Sequence, residues 1–314
     1  MKNNITVIIP TYNREKYLKE LLDSIKDKKN IEIIVIDDAS TDNTKELLKK
    51  YNQNNITIIT NKKNKGIAYS RNVGIKNIKT KYFTFIDSDD NIDNQMLETM
   101  YNESEKHNLD ICCCNYYEII NNKKIKSKYN YNNSIYNSKE IIERTLIDEV
   151  STVVWGKLYK TSTFKNILFN EKLVINEDYE YVIRCFKNIK RIKLINEYLY
   201  NYLKNTTSIT NNTKCIDIKN NYYLDNLDIK EYDNYNYFIN INELRKIHMY
   251  SKCIDKNNRY KYLKKEIDKL RLKRLLKTNI SKFNKIEIII FLINIRLYLF
   301  IYPLCIIIKN KIRS

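Results

Sequence analysis

Lys81-Tyr-Phe-Thr-Phe-Ile-Asp-Ser-Asp-Asp90 is the stretch from which the fold can be read. Residues 82–86 are aromatic or β-branched with no helical spacing, the pattern of a buried strand. The run ends in three carboxylates, Asp87, Asp89 and Asp90, followed by Asn91. Acids packed this closely repel one another unless a positive group sits among them. Mg²⁺ and Mn²⁺ prefer oxygen ligands and bind through one or two carboxylates plus substrate phosphates. Acids at the C-terminal end of a core strand also stand where open α/β sheets bind ligands. The plainer alternative is a solvated acidic turn that leads into the next helix near Asp93.

Working outward, residues 5–10 are a second apolar strand, ending at Pro10-Thr11-Tyr12-Asn13. A helix from about Arg14 places Tyr17, Leu18, Leu21, Leu22 and Ile25 at helical spacing. Residues 31–36 form a strand that ends in Asp37-Asp38, and Ser40 or Thr41 is placed to cap a helix over residues 43–50. Residues 56–60 are another strand, 61–66 a polar loop and 67–78 a helix. Strands alternating with helices predict an α/β layer with a largely parallel central sheet flanked by helices. Neither GxGxxG after the first strand nor GxxxxGK[ST] is present, which argues against dinucleotide-binding and P-loop enzymes. Instead, three strand ends carry short polar residues that can converge on one crevice: Thr11 to Asn13, Asp37-Asp38, and Asp87 to Asp90.

Composition sharpens this. Only three glycines and two prolines occur in 314 residues, so Gly66, Gly74 and Gly156 are expected to have backbone duties. Seven cysteines, with three consecutive at 112–114 and no CxxC pair, make a zinc site or a disulfide framework unexpected. Cys112 to Cys114 read as small buried hydrophobes on a strand over residues 111–116. The chain runs into its first strand almost at once, so no leader peptide is expected there and a reducing cytoplasm is the expected compartment.

The motifs form an ordered series. Val7-Ile-Ile-Pro-Thr-Tyr-Asn13, Val35-Ile-Asp-Asp-Ala-Ser-Thr-Asp42, Asn64-Lys-Gly66 with Ser70-Arg-Asn-Val-Gly74, and Phe85-Ile-Asp-Ser-Asp-Asp90 together resemble the motifs of family 2 glycosyltransferases. Those are inverting enzymes of the GT-A fold. Trp155-Gly-Lys-Leu-Tyr159 and Asn176-Glu-Asp-Tyr179 resemble that family's later blocks, and the resemblance covers roughly residues 4–210. It implies that Thr11 and Tyr12 border the nucleobase and that Asp38 contacts it. It implies that Asp87, Asp89 and Asp90 hold the ribose and a metal, Mn²⁺ or Mg²⁺, on the diphosphate, with Asp89 and Asp90 on the metal. Asp178 matches the general base. Arg71 is placed at the donor site, facing a phosphate or an acid of the cluster; packing over the sheet is the other reading. Trp155 is placed as a wall of the acceptor side, or else as plain core. Glu177 joins the acceptor side as the weaker candidate for base. A metal neutralises a leaving diphosphate without a proton, and a carboxylate activates an acceptor hydroxyl, so no Cys or Ser nucleophile is needed. Many relatives carry an Arg or His in a stretch like residues 200–210. Here Lys204 or Ser208 stands in its place, and that role stays open.

The charge of +19 is uneven: residues 243–285 hold fifteen Lys or Arg against four Asp or Glu. Such a block points to an anionic partner. Residues 259–278 predict a basic amphipathic helix, and residues 288–308 are long and apolar enough for a membrane span. Asn294, Arg296 and Pro303 interrupt the latter, and a central Arg costs about 2.5–3.5 kcal/mol on insertion scales. The favoured expectation is a segment lying in the membrane interface beside the basic helix. The alternatives are a hairpin packed on the enzyme or on a second subunit, and a true span.

The expected organisation is therefore a GT-A transferase domain over 1–210, a basic helical extension over 211–285 and an apolar, membrane-associated segment over 286–314. The expected activity is transfer of a sugar from a nucleotide-linked donor, UDP for preference, to a hydroxyl of a glycan or lipid-linked acceptor. The expected place is the inner face of the cell membrane, on anionic lipid, with a homo-oligomer compatible. Two rivals are a nucleotidyltransferase on a similar sheet, which lacks its basic Gly-rich loop at residues 10–14, and a nucleic-acid-binding protein using residues 243–285. No nucleic-acid motif supports the second, so no nucleic-acid partner is expected.

Overall fold

The computed structural model describes residues 4–51, 55–173, 175–204, 218, 219, 224, 227–253, 255–278 and 280–313, with side chains as far as 304. Ser208 lies outside the described residues. Contacts divide the chain into two compact units, Met1–Lys204 and Asn205–Ser314.

The first unit begins with β1 (Ile5–Thr11), α1 (Glu15–Ile25), β2 (Ile31–Asp37), α2 (Thr44–Leu48), β3 (Ile56–Thr60), α3 (Ile67–Lys76) and β4 (Tyr82–Phe85). The four strands are parallel, with β1 between β2 and β4. Being covered on both faces, β1 has every residue buried, as a near-continuous apolar run predicts. Pro10 sits inside this central strand without breaking it. Ile8 O accepts from Ile86 N, so the even positions of β1 face β4. The last β1–β4 pair is Ile8 with Phe85, so Pro10 lies past the ladder that would need its missing N–H. In α1, Leu18, Leu21, Leu22 and Ile25 are fully buried, the stripe that the sequence spacing predicts.

α3 lies on β1 and β2 through Gly74. A Cβ there would come within 2.4 Å of Ile8 Cγ2 and 3.2 Å of Ile36 Cδ1. Its glycine therefore sets how close helix and sheet can come. With so few glycines, asparagine takes most of the left-handed positions: Asn13, Asn30, Asn108, Asn121, Asn122, Asn133 and Asn176 all have positive φ, which Asn tolerates better than most residues.

The unit continues with β5 (Asn91–Ile92), α4 (Met96–His107), β6 (Ile111–Ile120), β7 (Lys123–Lys126), β8 (Ile135–Tyr136), α5 (Ser138–Leu146), β9 (Lys157–Lys160), α6 (Thr161–Phe164), α7 (Glu177–Lys187) and β10 (Ile192–Leu203). The sheet order is β3-β2-β1-β4-β9-β6-β10-β5. β9 runs antiparallel to both β4 and β6, while β10 is parallel to β6. The sheet is thus mixed: parallel where strands alternate with helices, and mixed beyond β4. Cys112, Cys113 and Cys114 are buried, free thiols in β6, as small hydrophobes should be. Cys253, in contrast, is disulfide-bonded, against the expectation of reduced cysteines throughout.

The second unit is helical among its described residues: α8 (Tyr235–Lys252), α9 (Lys256–Glu266), α10 (Lys269–Leu275), α11 (Lys282–Ile293) and α12 (Ile295–Arg313). One single-segment expectation is corrected here. The basic helix over 259–278 is broken because Asp268 accepts hydrogen bonds from Leu270 N and Arg271 N and starts a new helix. The apolar segment over 288–308 breaks at Asn294, one of the residues read as interrupting it, whose Oδ1 accepts from Arg296 N and Leu297 N. Among the described residues, no helix is long and apolar enough to cross a membrane. Buried Glu243 is satisfied by Lys246, Arg271 and the Asp268 amide, and buried Glu287 by His248 at 3.2 Å.

Candidate active site

The strand ends meet through backbone and side-chain bonds that the sequence encodes locally. Asn13 has φ 53, and its Oδ1 accepts from Thr41 N and Asp42 N, at 2.8 and 3.3 Å. In return Ser40 Oγ accepts from Asn13 N at 3.0 Å and Thr44 Oγ1 from Arg14 N at 3.2 Å. These bonds tie the loop after β1 to the loop after β2. Ser40 is therefore a tie between loops and not the cap of α2; the cap position falls to Asn43.

Thr11 and Asp37 stand side by side in the β1–β2 register. Both are buried, and Thr11 Oγ1 and Asp37 Oδ2 have no hydrogen-bond partner among the described residues. Two adjacent buried polar atoms without partners are costly unless something polar reaches them. Tyr12, 42% exposed, follows at the same strand end. Asp38 also has a structural task. Its carboxylate accepts from Asn61 Nδ2 at 2.7 Å, Gly66 N at 2.7 Å and Lys65 N at 3.0 Å. It organises the 61–66 loop, where Gly66 at φ 89 opens α3.

The centre of the site is Arg71 on α3. It is 1% exposed, yet charged, and it holds three acids. Nη2 donates to Asp87 Oδ1 at 3.0 Å, and Nη1 donates to Asp178 Oδ1 at 2.5 Å and to Glu177 Oε1 at 3.5 Å. Phe169 lies under the guanidinium at 5.3 Å, stacked in turn on Tyr181 at 3.9 Å. Burial works against the charge of Arg71, but Asp178, Asp87 and Glu177 together hold it firmly protonated. Asp87 is an acid of the strand-end cluster, so Arg71 links that cluster to the first turn of α7.

Glu177 and Asp178 occupy the first turn of α7, after Asn176 in the left-handed region. The helix dipole favours negative charge there, but burial opposes it. Burial, followed by the neighbouring Asp178, pushes the Glu177 carboxyl up to about 8. Burial also raises Asp178, with Arg71 pulling the other way. One guanidinium carries less charge than the three carboxylates it faces, and burial favours the protonated form of Glu177.

The strand-end acids divide. Asp87 and Asp89 have side chains 23% and 26% exposed, and Asp89 faces Arg14 Nε at 3.5 Å. Asp90 is buried, and both its oxygens are engaged, Oδ2 accepting from Tyr200 Oη–H at 2.7 Å and Oδ1 from Leu203 N at 2.8 Å. The carboxylate expected on a metal is here the anchor of β10. Burial first, then Asp87, raises its pKa well above the ordinary carboxylate value. Tyr200 Oη also accepts from Asp87 N at 3.2 Å, so one hydroxyl spaces Asp87 from Asp90.

Trp155 is corrected too. It is 4% exposed, stacked on Tyr200 at 4.3 Å and on Tyr202 at 5.3 Å, with Tyr116 edge-on at 4.8 Å. A ring so covered offers no face to a sugar; it braces β10. Lys204, held out for the leaving group, pairs with Glu118 at 3.2 Å. The sequence reading missed three site residues. Arg14 carried a signal, a cation just past the first strand end. Tyr200 and the buried Lys157, whose Nζ donates to Val153 O at 2.6 Å, carried none, because their partners are distant or are backbone atoms.

Among the described residues no group of three or more His, Cys, Asp or Glu is arranged to hold a metal ion by itself.

Comparison with known proteins agrees with this geometry. The model of the Glycosyl transferase family 2 matches residues 6–168, just over half of the chain. Glycosyltransferase GlyA of Streptococcus pneumoniae is 31% identical over 217 residues, covering 64% of this chain and 30% of that protein. The uncharacterized glycosyltransferase EpsJ of Bacillus subtilis is 29% identical over 215 residues, covering 66% and 62%. The chain thus spans less than two thirds of either relative. A crystal structure of Staphylococcus aureus TarS 1–349 in complex with UDP-GlcNAc has the same fold. Its TM-score is 0.62 at 23% identity, covering 94% of this chain and 82% of that one. Motif order, the mixed sheet with acids at its strand ends and the family match converge: this chain is a member of glycosyl transferase family 2.

Proposed function

We propose that the chain is an inverting glycosyltransferase that moves a hexosyl or N-acetylhexosaminyl group from a UDP-linked donor to a hydroxyl of a glycan or lipid-linked acceptor. The observation that carries this reading is Arg71, whose guanidinium brings a strand-end acid of the donor motif, Asp87, together with Asp178 of the later motif. The UDP-GlcNAc complex of TarS supports the choice of donor.

In this reading Thr11, Tyr12 and the 61–66 loop that Asp38 anchors receive the nucleoside. Asp87 lies against the ribose. Asp89 is the carboxylate suited to a divalent cation, Mn²⁺ or Mg²⁺, because it is partly exposed while Asp90 is buried and engaged. A site with one or two carboxylates and no complete protein cage fits cations that share their shell with phosphate oxygens. When bound, such a cation supplies charge neutralisation for the departing diphosphate. Arg14 stands beside Asp89 and adds positive charge to the same side.

Asp178 takes the proton of the acceptor hydroxyl as the oxygen attacks the anomeric carbon opposite the leaving group. The new glycosidic bond forms as the bond to the diphosphate breaks, and configuration inverts in one step. Burial makes Asp178 a better base than an exposed carboxylate, and Arg71 keeps its ionised form populated. Glu177, adjacent, lies towards the acceptor. The proposal also takes in the division into transferase unit, basic helices and apolar terminal segment, with the reaction held at an anionic inner membrane face.

The test is Asp178→Asn assayed with UDP-linked sugars. Sugar transfer should fall about 10²- to 10⁴-fold, while UDP with Mn²⁺ still stabilises the protein by about 2.7 kcal/mol at a hundred times its dissociation constant. Full transfer by the variant, or stabilisation by GDP, dTDP or CMP in place of UDP, would overturn the base assignment or the donor respectively.

A further inference from the structure

The helices α11 and α12 of the second unit are apolar on two faces. The inner face is buried through Ile288, Phe291, Tyr298 and Tyr302. The outer face is a continuous stripe of exposed residues, Ile286, Ile289, Ile293, Leu297, Phe300 and Leu304, with exposures from 44% for Ile289 to 80% for Phe300. On each helix these fall at i, i+3 and i+7, one side of the cylinder. An apolar stripe of this size on an otherwise charged chain marks an interaction surface.

Charge identifies the partner. From residue 282 to 304 the sole acid is Glu287, and it is buried against His248. The exposed charges beside the stripe are cations, Lys282 and Arg296. On α9 and α10, Lys261, Lys264, Lys265, Lys269, Lys273 and Arg274 are also exposed. A second copy of this cationic unit would have to place its own cations against these. A bilayer with anionic headgroups satisfies both halves at once, receiving the side chains in its acyl boundary and the lysines among its phosphates. The break at Asn294 and the 12-residue length of α11 suit helices lying in the interface better than one crossing it.

We propose that α11 and α12 form a monotopic docking surface for anionic lipid, with Ile293 and Phe300 as its deepest side chains. The inference deepens the membrane part of the reading above and is independent of the donor chemistry.

The test is flotation of the full chain with vesicles of phosphatidylglycerol and phosphatidylcholine. Wild type should bind the anionic vesicles, weakly or not at all the neutral ones, and less at high salt. Ile293→Gln with Phe300→Gln should lower partitioning by at least about tenfold. Lys261→Glu with Lys265→Glu, which leaves the stripe intact, should remove the preference for anionic lipid. Unchanged flotation of the glutamine variant would overturn the surface. So would equal binding to neutral vesicles, or a loss of self-association in sedimentation with lipid binding intact, since a second copy would then be the occupant. Stabilisation by UDP, measured on the same variants, should be as in wild type; if even wild type shows none, the donor reading fails and this one stands.

Discussion

Gly74→Ala tests how the sheet carries the site. On an isolated helix the change is favourable, since alanine exceeds glycine in helix propensity by about 1 kcal/mol. In α3 the added methyl would lie 2.4 Å from Ile8 Cγ2, far inside van der Waals contact. Ile8 is fully buried in β1, which is held between β2 and β4, so it cannot retreat; α3 must lift instead. Overpacking of this kind costs typically 1–3 kcal/mol, and a clash this short against a fixed strand belongs at the upper end. The net expectation is a loss of about 1–2 kcal/mol. Urea unfolding followed through Trp155, the sole tryptophan and buried in the same unit, reads it directly. With a slope of about 3 kcal/mol/M, the midpoint should fall by roughly half a molar. Lifting α3 also moves Arg71, so UDP-sugar turnover should fall more steeply than stability. Ile8→Ala in the same chain removes the clashing methyl, and the double variant should be more stable than the sum of the single changes. A midpoint that rises, or singles that add without coupling, would refute the close-contact argument.

Glu177→Gln should make stability less dependent on pH. Because the native carboxyl titrates at about 8, above its unfolded value, the stability it contributes is complete below about pH 4.5 and is lost as pH rises through 8. The difference between variant and wild type in unfolding midpoint should therefore grow in favour of the variant over that interval, by no more than about 5 kcal/mol; a constant difference would contradict it. Arg71→Lys keeps one positive charge but cannot fork between Asp87 and Asp178, so turnover should fall at least tenfold with a smaller loss of melting temperature than Arg71→Ala, which strands three acids and should cost about 3–5 kcal/mol. Tyr200→Phe removes the hydroxyl shared by Asp87 N and Asp90. A stability loss of about 1–2 kcal/mol and a raised donor KM are expected, and an unchanged KM would show that the hydroxyl does not space the acids.

Much of the first unit was legible because its cues are local. Apolar runs at 5–10, 31–36 and 82–86 end in polar residues, and each became a strand end at the site. What was not legible depends on pairs far apart in the chain. The bond from Tyr200 to Asp90 spans 110 positions and gave no signal in the sequence. Trp155 reads as a sugar platform until Tyr200 and Tyr202 cover it. The amides of Lys65 and Gly66 that fold back on Asp38 gave no signal in the sequence. The breaks in the tail were different. Asn294 was read as an interruption of the apolar segment, whereas Asp268 was passed over inside the helical spacing of Leu263, Ile267, Leu270 and Leu275.

Arg71 has a consequence for anyone who redesigns this site. The same guanidinium pairs with Asp87 and with Asp178, the proposed donor-side acid and the proposed base. A substitution at Asp87 meant to admit a different nucleotide sugar would release Arg71 towards Asp178 and weaken it as a proton acceptor. Donor selectivity and the pH at which turnover peaks are thus mechanically joined, and a library screened for the first at a single pH would discard good variants for the second.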